Sequence, residues 1–243
     1  MKCLVLTGRT AKEIGRDPLN LGFGLAFPVI LLLLLSAIQA NVPVSLFEIH
    51  QLTPGITVFA LSFMTLFAAT LVAKDRESAF LQRLYTTPLR ASDFILGYLF
   101  PMLPFAFGQG IVCYAAAVAL GLPVTVHIVY AILMLLPVSI FFTALGLLCG
   151  SALSVKQVGG LCGALLTNVS AWLSGTWFDL ELVGGAFKKI AYALPFVHAV
   201  ELERAVLSGN YSGIFPHIYW VLGYTVVVLA AAILVFLRQM RRQ

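Results

Sequence analysis

Six stretches of about 20 or more mostly apolar residues restrict the possible folds of this chain more than any other feature. A helix that crosses a bilayer core needs about 20 apolar residues, because its backbone amides must be hydrogen-bonded within the segment. The composition agrees, since 60% of the 243 residues are hydrophobic and 10% are charged. The sequence therefore predicts an all-α integral membrane protein with six transmembrane helices. The predicted spans are 19–40, 53–73, 93–120, 128–153, 158–178 and 217–237.

Three more polar segments lie outside these spans. An N-terminal segment, 1–18, precedes the first span, and a loop, 74–92, joins the second and third. The segment 180–216 is too long for a tight turn and too mixed to cross the membrane. We expect it to form short helices that lie on or dip into the outer interface and cap an exit path. The sequence thus predicts a single membrane domain over 1–243.

The distribution of cations predicts the orientation. Short cytoplasmic loops are enriched in lysine and arginine. Of the 15 such residues, all except Lys188, Lys189 and Arg204 fall on the side of the N-terminus. Both termini are therefore predicted to be cytoplasmic. The net charge of +5 and the pI near 9.1 reflect cations at span ends, so we expect a lipid bilayer and no nucleic acid as the partner of these charges.

Ionisable residues are absent from the centres of the predicted spans, where ion-coupled carriers usually keep a carboxylate or a cation. The polar groups there are neutral: Gln109 in the third span, and Asn168, Ser170 and Ser174 in the fifth. Such groups either hydrogen-bond between helices or face a substrate path. We predict that Asn168, Ser170, Trp172 and Ser174 border a translocation path.

The loop 74–92 contains an amphipathic pattern over 76–85, which Pro88 ends. At 100° per residue, one arc of this helix is apolar. The arc contains Phe80, Leu81, Leu84 and Tyr85. Glu77 lies inside the arc, where it either favours the helix dipole or bonds to a donor from a partner or a neighbouring helix end. An apolar face with no core of its own to cover is typical of a protein-binding surface.

At this point the chain resembles the type-2 permeases of ABC exporters, which include small drug- and antibiotic-export proteins. That family has a charged run after the second span, then leucines, a Thr-Pro, and a Leu-Gly entry to the third span. The matching residues here are Asp75, Arg76, Glu77, Leu81, Leu84, Thr87, Pro88, Leu96 and Gly97. The departures are Ala79, Phe80, Gln82 and Tyr98. A later Leu-Ser-Gly and a proline before an aromatic residue match Leu173, Ser174, Gly175, Pro195 and Phe196.

The resemblance implies an ATP-driven exporter of the prokaryotic plasma membrane. The cargo would be a lipophilic drug, an antibiotic, a peptide or a lipid-like molecule. No glycine is followed by lysine in this sequence, so ATP and Mg²⁺ are expected on a separate nucleotide-binding ATPase subunit. A second copy, or a similar permease, would complete a dimeric pathway. The residues implied to couple this chain to the ATPase are Arg76, Glu77, Phe80, Leu81, Leu84 and Tyr85.

Other function classes stay open. An ATP-independent carrier or channel would share the apolar spans. An intramembrane protease would need a serine and a base, for which Ser174 and His198 are the nearest candidates, although Ser174 lacks the first glycine of a Gly-x-Ser-Gly motif. The histidines predicted on the outer side follow no metal-ligand spacing, so no metal is expected. They are His50, His127, His198 and His217.

Overall fold

The computed structural model describes residues 2–42, 47–78, 80 and 91–240. Over these residues the chain is helical and has no β-strand, which confirms the predicted all-α membrane fold. The elements are α1 (Lys2–Gly15), α2 (Pro18–Asn41), α3 (Ile49–Glu77), α4 (Ala91–Ala119), α5 (Val126–Ala152), α6 (Val155–Val158), a π-helical segment (Gly159–Leu166), α7 (Thr167–Leu173), α8 (Leu180–Val183), α9 (Gly185–Ala193), α10 (Pro195–Leu207), a 3-10 turn (Tyr211–Gly213) and α11 (Ile214–Met240).

Within the described residues, five helices are long and apolar enough to cross a membrane. They are α2, α3, α4, α5 and α11, and they match five of the six predicted spans. At the remaining one, 158–178, α6, the π-helical segment and α7 follow one another without a gap and end at Leu173, earlier than predicted. Gly175 has φ +70° and ends the helix there. This run is not among the five candidate membrane-crossing helices of the described residues, so a sixth crossing stays a prediction.

The long helix α3 forms the centre of the bundle and packs most extensively against α5. Two glycines make this contact close. A Cβ atom at Gly146 would lie 2.6 Å from the carbonyl oxygen of Thr65, and one at Gly150 would lie 2.5 Å from that of Ala69. The hydroxyl of Thr65 donates to the carbonyl of Phe142 at 2.8 Å. Small residues thus let the two backbones approach within one chain.

The segment 180–216 folds into α8, α9, α10 and the 3-10 turn. Its helix α10 packs against α3, α5 and α11, and side chains such as Phe196 and Val200 are buried. The segment is therefore more than a surface cap, because α10 contributes to the core of the bundle.

Candidate functional site

Asp75, near the end of α3, is a buried carboxylate held by side chains from two other helices. Arg9 of α1 donates hydrogen bonds to both carboxylate oxygens, and its Nη2 lies 2.6 Å from Oδ1. The hydroxyl of Tyr98, on α4, donates to Oδ2. Asp75 is only 5% exposed, and proteins tolerate a buried charge when it is paired and hydrogen-bonded. The carboxylate therefore ties α1, α3 and α4 together.

Arg9 also reaches the chain that follows α3. Burial opposes its charge, but the hydrogen bond and the charge of Asp75 raise the pKa of Arg9 above its ordinary value. Its guanidinium carbon lies 3.9 Å from the centroid of the Phe80 ring, a distance typical of a cation–π contact. Phe80 is half-buried and packs against an apolar cluster that includes Leu6 and Phe236. Arg9 thus links the fixed end of α3 to Phe80.

The next two residues of α3 bind the ends of other helices. The guanidinium of Arg76 donates to the carbonyl oxygens of Ser151 and Leu153, at the end of α5. A carboxylate oxygen of Glu77 accepts a hydrogen bond of 2.9 Å from the backbone N–H of Val155, the first residue of α6. Helix ends leave such carbonyls and amides without partners in their own helix. The amide of Gln239, on α11, also donates to the Ser151 carbonyl.

These contacts bring α1, α3, α4, α5, α6 and α11 together at one end of the bundle. We name the group the α3 junction; it consists of Arg9, Asp75, Arg76, Glu77 and Tyr98. The junction corrects one prediction. Arg76 and Glu77 form the last turn of α3 and do not begin a separate helix. Ser78 is extended, with φ −83° and ψ 158°, and its N–H caps α3. Leu81, Leu84 and Tyr85 lie outside the described residues.

The four residues predicted to border a path occupy two different surfaces. Ser170 and Ser174 are buried, and their hydroxyls donate to the carbonyls of Thr167 and Ala171 in α7. Asn168 and Trp172 are exposed, and Trp172 has 57% of its surface accessible. The helical period separates the two pairs, because residues two apart do not share a face. The arrangement gives one exposed pair and one core pair.

Comparison with known families decides the class of the chain. A family model described as ABC-2 type transporter matches residues 1–208. The chain belongs to the ABC-2 type transporter family. No curated protein matches it in sequence.

Membership of the ABC-2 family confirms the resemblance drawn from the segment after α3. The chain is thereby the membrane domain of an ABC transport system, which implies an ABC ATPase partner. Three residues of the α3 junction, Asp75, Arg76 and Glu77, form the charged run with which the family pattern in 74–92 begins. The side chains of the junction thus link this run to α1, α4, α5 and α6.

At the opposite end of α3, two cavities share Gln51, Glu201 and Arg204. We name them the outer vestibule, because the cation distribution predicts that this end faces outward. Their volumes are about 400 and 270 Å³. Arg204 donates hydrogen bonds of 2.9 Å to the carbonyl oxygen of Gly175 and to the carboxylate of Glu201. This ties α10 to the turn after α7. The vestibule is a polar opening beside α10.

The predicted outer histidines do not converge. His198 and His217 share a hydrogen bond of 2.9 Å between their Nδ1 atoms, and the ring of His198 stacks on Trp220. His127 contacts the hydroxyl of Tyr211 at 3.2 Å. Across the described part of the chain, no three histidine, cysteine or acidic side chains are grouped as a metal would require.

The sequence did not predict that Glu203 is buried. Glu203 of α10 is 0% exposed, although the sequence placed all carboxylates at span ends or in loops. A signal existed, because Glu203 follows Val200 by three residues and Phe196 by seven, on the apolar face of a helix. Gln109 is also fully buried, and neither atom of its amide has a partner among the described residues.

Proposed function

We propose that this ABC-2 chain is the transmembrane subunit of an ATP-driven exporter and forms half of a dimeric pathway. Its cargo is a lipophilic drug, an antibiotic, a peptide or a lipid-like molecule that leaves the cytoplasm. The observation that carries the proposal is the α3 junction, which lies at the end of a candidate membrane-crossing helix and includes the charged run of the family pattern. A separate nucleotide-binding ATPase supplies the energy, since the sequence lacks a Gly-Lys phosphate loop.

The junction supports a direct route from the ATPase to the membrane helices. Phe80 contacts Arg9, Arg9 holds Asp75, and Asp75 holds Tyr98 of α4. When the ATPase closes on nucleotide, it would push the segment after α3, and these paired charges would carry the displacement to α1, α3 and α4. Arg76 and Glu77 would carry it to α5 and α6.

A second copy of the chain is the proposed partner within the membrane. Trp172 and Asn168 lie on the exposed face of the run from α6 to α7. Among the described residues, Asn168 hydrogen-bonds only to the Ala164 carbonyl of its own helix. An exposed amide at this depth favours a protein neighbour over lipid, because hydrocarbon offers no hydrogen bond. This face therefore borders the seam between two copies and the path beside it.

Alanine substitution of Phe80 tests coupling. In the chain expressed with its ATPase, Phe80→Ala is expected to insert normally but to recover less ATPase on purification, or to abolish substrate-stimulated ATP hydrolysis. The physical reason is that Phe80 holds the chain after α3 against Arg9 and the apolar cluster with Leu6 and Phe236, and its loss would loosen the segment that the ATPase is proposed to contact. Arg83→Ala is the matched control, since position 83 lies outside the predicted apolar arc, and it should behave as the unmodified chain. Full ATPase recovery and transport by Phe80→Ala would contradict the proposal.

The same assay separates the alternatives. Transport that continues without the ATPase and ATP would indicate an ATP-independent carrier or channel. A protease is disfavoured by the contacts of its candidate groups. Ser174 hydrogen-bonds with Ala171 and Thr176, while His198 bonds to His217 and the Tyr192 carbonyl.

A further inference from the structure

Glu203 is a carboxyl group inside the bundle with almost no polar contact. The hydroxyl of Tyr114, on α4, approaches its Oε2 at 3.3 Å, which is longer than the usual 2.5–3.0 Å of an O–H···O hydrogen bond. Its Oε1 has no hydrogen-bond partner in the described part of the chain. None of the ion pairs that the described residues form includes it. An ionised carboxylate in such a place is strongly disfavoured.

The groups around Glu203 do not supply a compensating charge. α10 packs against α3, α5, α7, α9 and α11. Of the titratable side chains described on these helices and on α4, only Tyr114 shifts the pKa of the Glu203 carboxyl, through its hydrogen bond. His198 and Arg204 of α10 itself are engaged elsewhere, with His217 and Glu201 respectively. Burial raises the pKa of Glu203 well above its ordinary value, and the weak contact with Tyr114 opposes this only in part. The carboxyl is therefore neutral while α10 is packed.

The helix that carries Glu203 has one face buried in the bundle and one face that lines the outer vestibule. Glu201 and Arg204 line the outer vestibule, whereas Glu203 points into the bundle. Breaks bound the helix at both ends. Leu194 is extended before Pro195, with φ −107° and ψ 154°, and Gly209 has φ +74°. Since both ends can absorb a change in backbone angles, a movement of α10 toward the vestibule would bring Glu203 into contact with water.

We propose that Glu203 is a proton-binding site that keeps α10 packed while neutral and releases it toward the outer vestibule when ionised. On opening, the carboxyl O–H bond breaks, the proton passes to a water molecule of the vestibule, and the bonding electron pair stays on the carboxylate. Closing reverses the transfer. The pH of the vestibule side thereby sets how often α10 opens.

The direction of the pH dependence follows from linkage. In the open form, the pKa of a hydrated glutamate is about 4.3, whereas in the packed form burial raises the pKa of Glu203. The packed form is fully favoured below the open-form pKa and loses its advantage as pH rises toward the packed-form pKa. Between the two values, opening releases one proton. Ionisation of Glu203 therefore contributes an increase of up to about tenfold per pH unit to the opening equilibrium constant.

Hydrogen exchange of the α10 amides tests this linkage. The full chain in lipid nanodiscs would be measured by mass spectrometry from about pH 5 to pH 8, with the intrinsic chemical exchange rates divided out. The slope of the unmodified chain is expected to exceed that of Glu203→Gln by up to about tenfold per pH unit. Glu203→Gln keeps the opposite slope of His198 on the same helix, because burial lowers the pKa of His198 and opening lets it bind a proton at low pH. Glu201→Gln, two residues away on the face that lines the outer vestibule, is the matched control and should keep the slope of the unmodified chain.

Equal slopes in the unmodified chain and in Glu203→Gln would overturn the proposal. If Glu203→Gln failed to fold, an infrared measurement would still decide the matter. The infrared carbonyl band of the unmodified chain is a second measurement. A protonated-carboxyl band that persists at neutral pH supports a buried neutral Glu203, and its absence contradicts one. Neither measurement involves the ATPase or a cargo, so failure here leaves the proposed exporter function untouched.

Discussion

At the residue scale, the pairing of Asp75 is the contact whose loss should cost most at the α3 junction. Asp75→Asn keeps the side-chain shape but leaves Arg9 without its buried counter-charge and weakens the hydrogen bond from Tyr98. We expect a loss of about 1–3 kcal/mol in the free energy of unfolding, measured by denaturant titration in mixed micelles. Glu13→Gln is the control, because Glu13 meets the same guanidinium from a more exposed position. Equal stability of Asp75→Asn and the unmodified chain would contradict this role.

The sequence identified the charged residues after the second span but not their partners. Arg76 and Glu77 were expected to face the ATPase, yet their side chains bind the ends of α5 and α6. Glu77, if desolvated, was expected to bond to a donor from the ATPase or from a neighbouring helix end; its side chain is exposed, and the N–H of Val155 at the start of α6 donates to it. Which helix end lies nearby depends on tertiary packing. Residue type and spacing along the chain carry no information about it.

At the element scale, the run from α6 to α7 offers the clearest test of the seam between copies. Asn168→Leu should weaken association of two copies roughly threefold, because one interhelical hydrogen bond contributes about 0.6 kcal/mol on average in membranes. Energy transfer between two differently labelled copies in lipid measures this association. Val226→Leu, on an exposed surface of α11, is the control and should change nothing. An unaltered association constant in Asn168→Leu would assign that face to lipid.

Two elements show what hydropathy leaves undetermined. The run of apolar residues around 158–178 revealed a helix, but neither its π-helical middle at Gly159–Leu166 nor its end at Gly175. The switch to i→i+5 hydrogen bonds depends on local packing. Likewise, the composition of 180–216 suggested short interfacial helices, whereas α10 is inserted into the core. Because Glu201 and Arg204 lie on the other face of α10, they lower the mean hydropathy of the segment, and the average does not reveal the buried apolar face.

At the scale of the whole molecule, the helical architecture and the five candidate membrane-crossing helices of the described residues were predictable, because a bilayer demands about 20 apolar residues per helix. The arrangement of the helices was not. The position of α3 at the centre depends on close contacts such as Gly146 against Thr65, and glycine spacing alone does not name the partner helix. The predicted cytoplasmic location of both termini rests on the cation distribution and stays a prediction.

Site-specific photo-crosslinking can show whether an ATPase docks where the chain leaves α3. Benzoyl-phenylalanine would replace Phe80 in the chain assembled with its ATPase. A second preparation would carry it in place of Tyr219. Tyr219 is exposed near the start of α11, at the other end of the bundle. Irradiation is predicted to join the ATPase to position 80 and not to position 219. Absence of the adduct at position 80, or equal yields at both positions, would contradict docking of the ATPase at the end of α3.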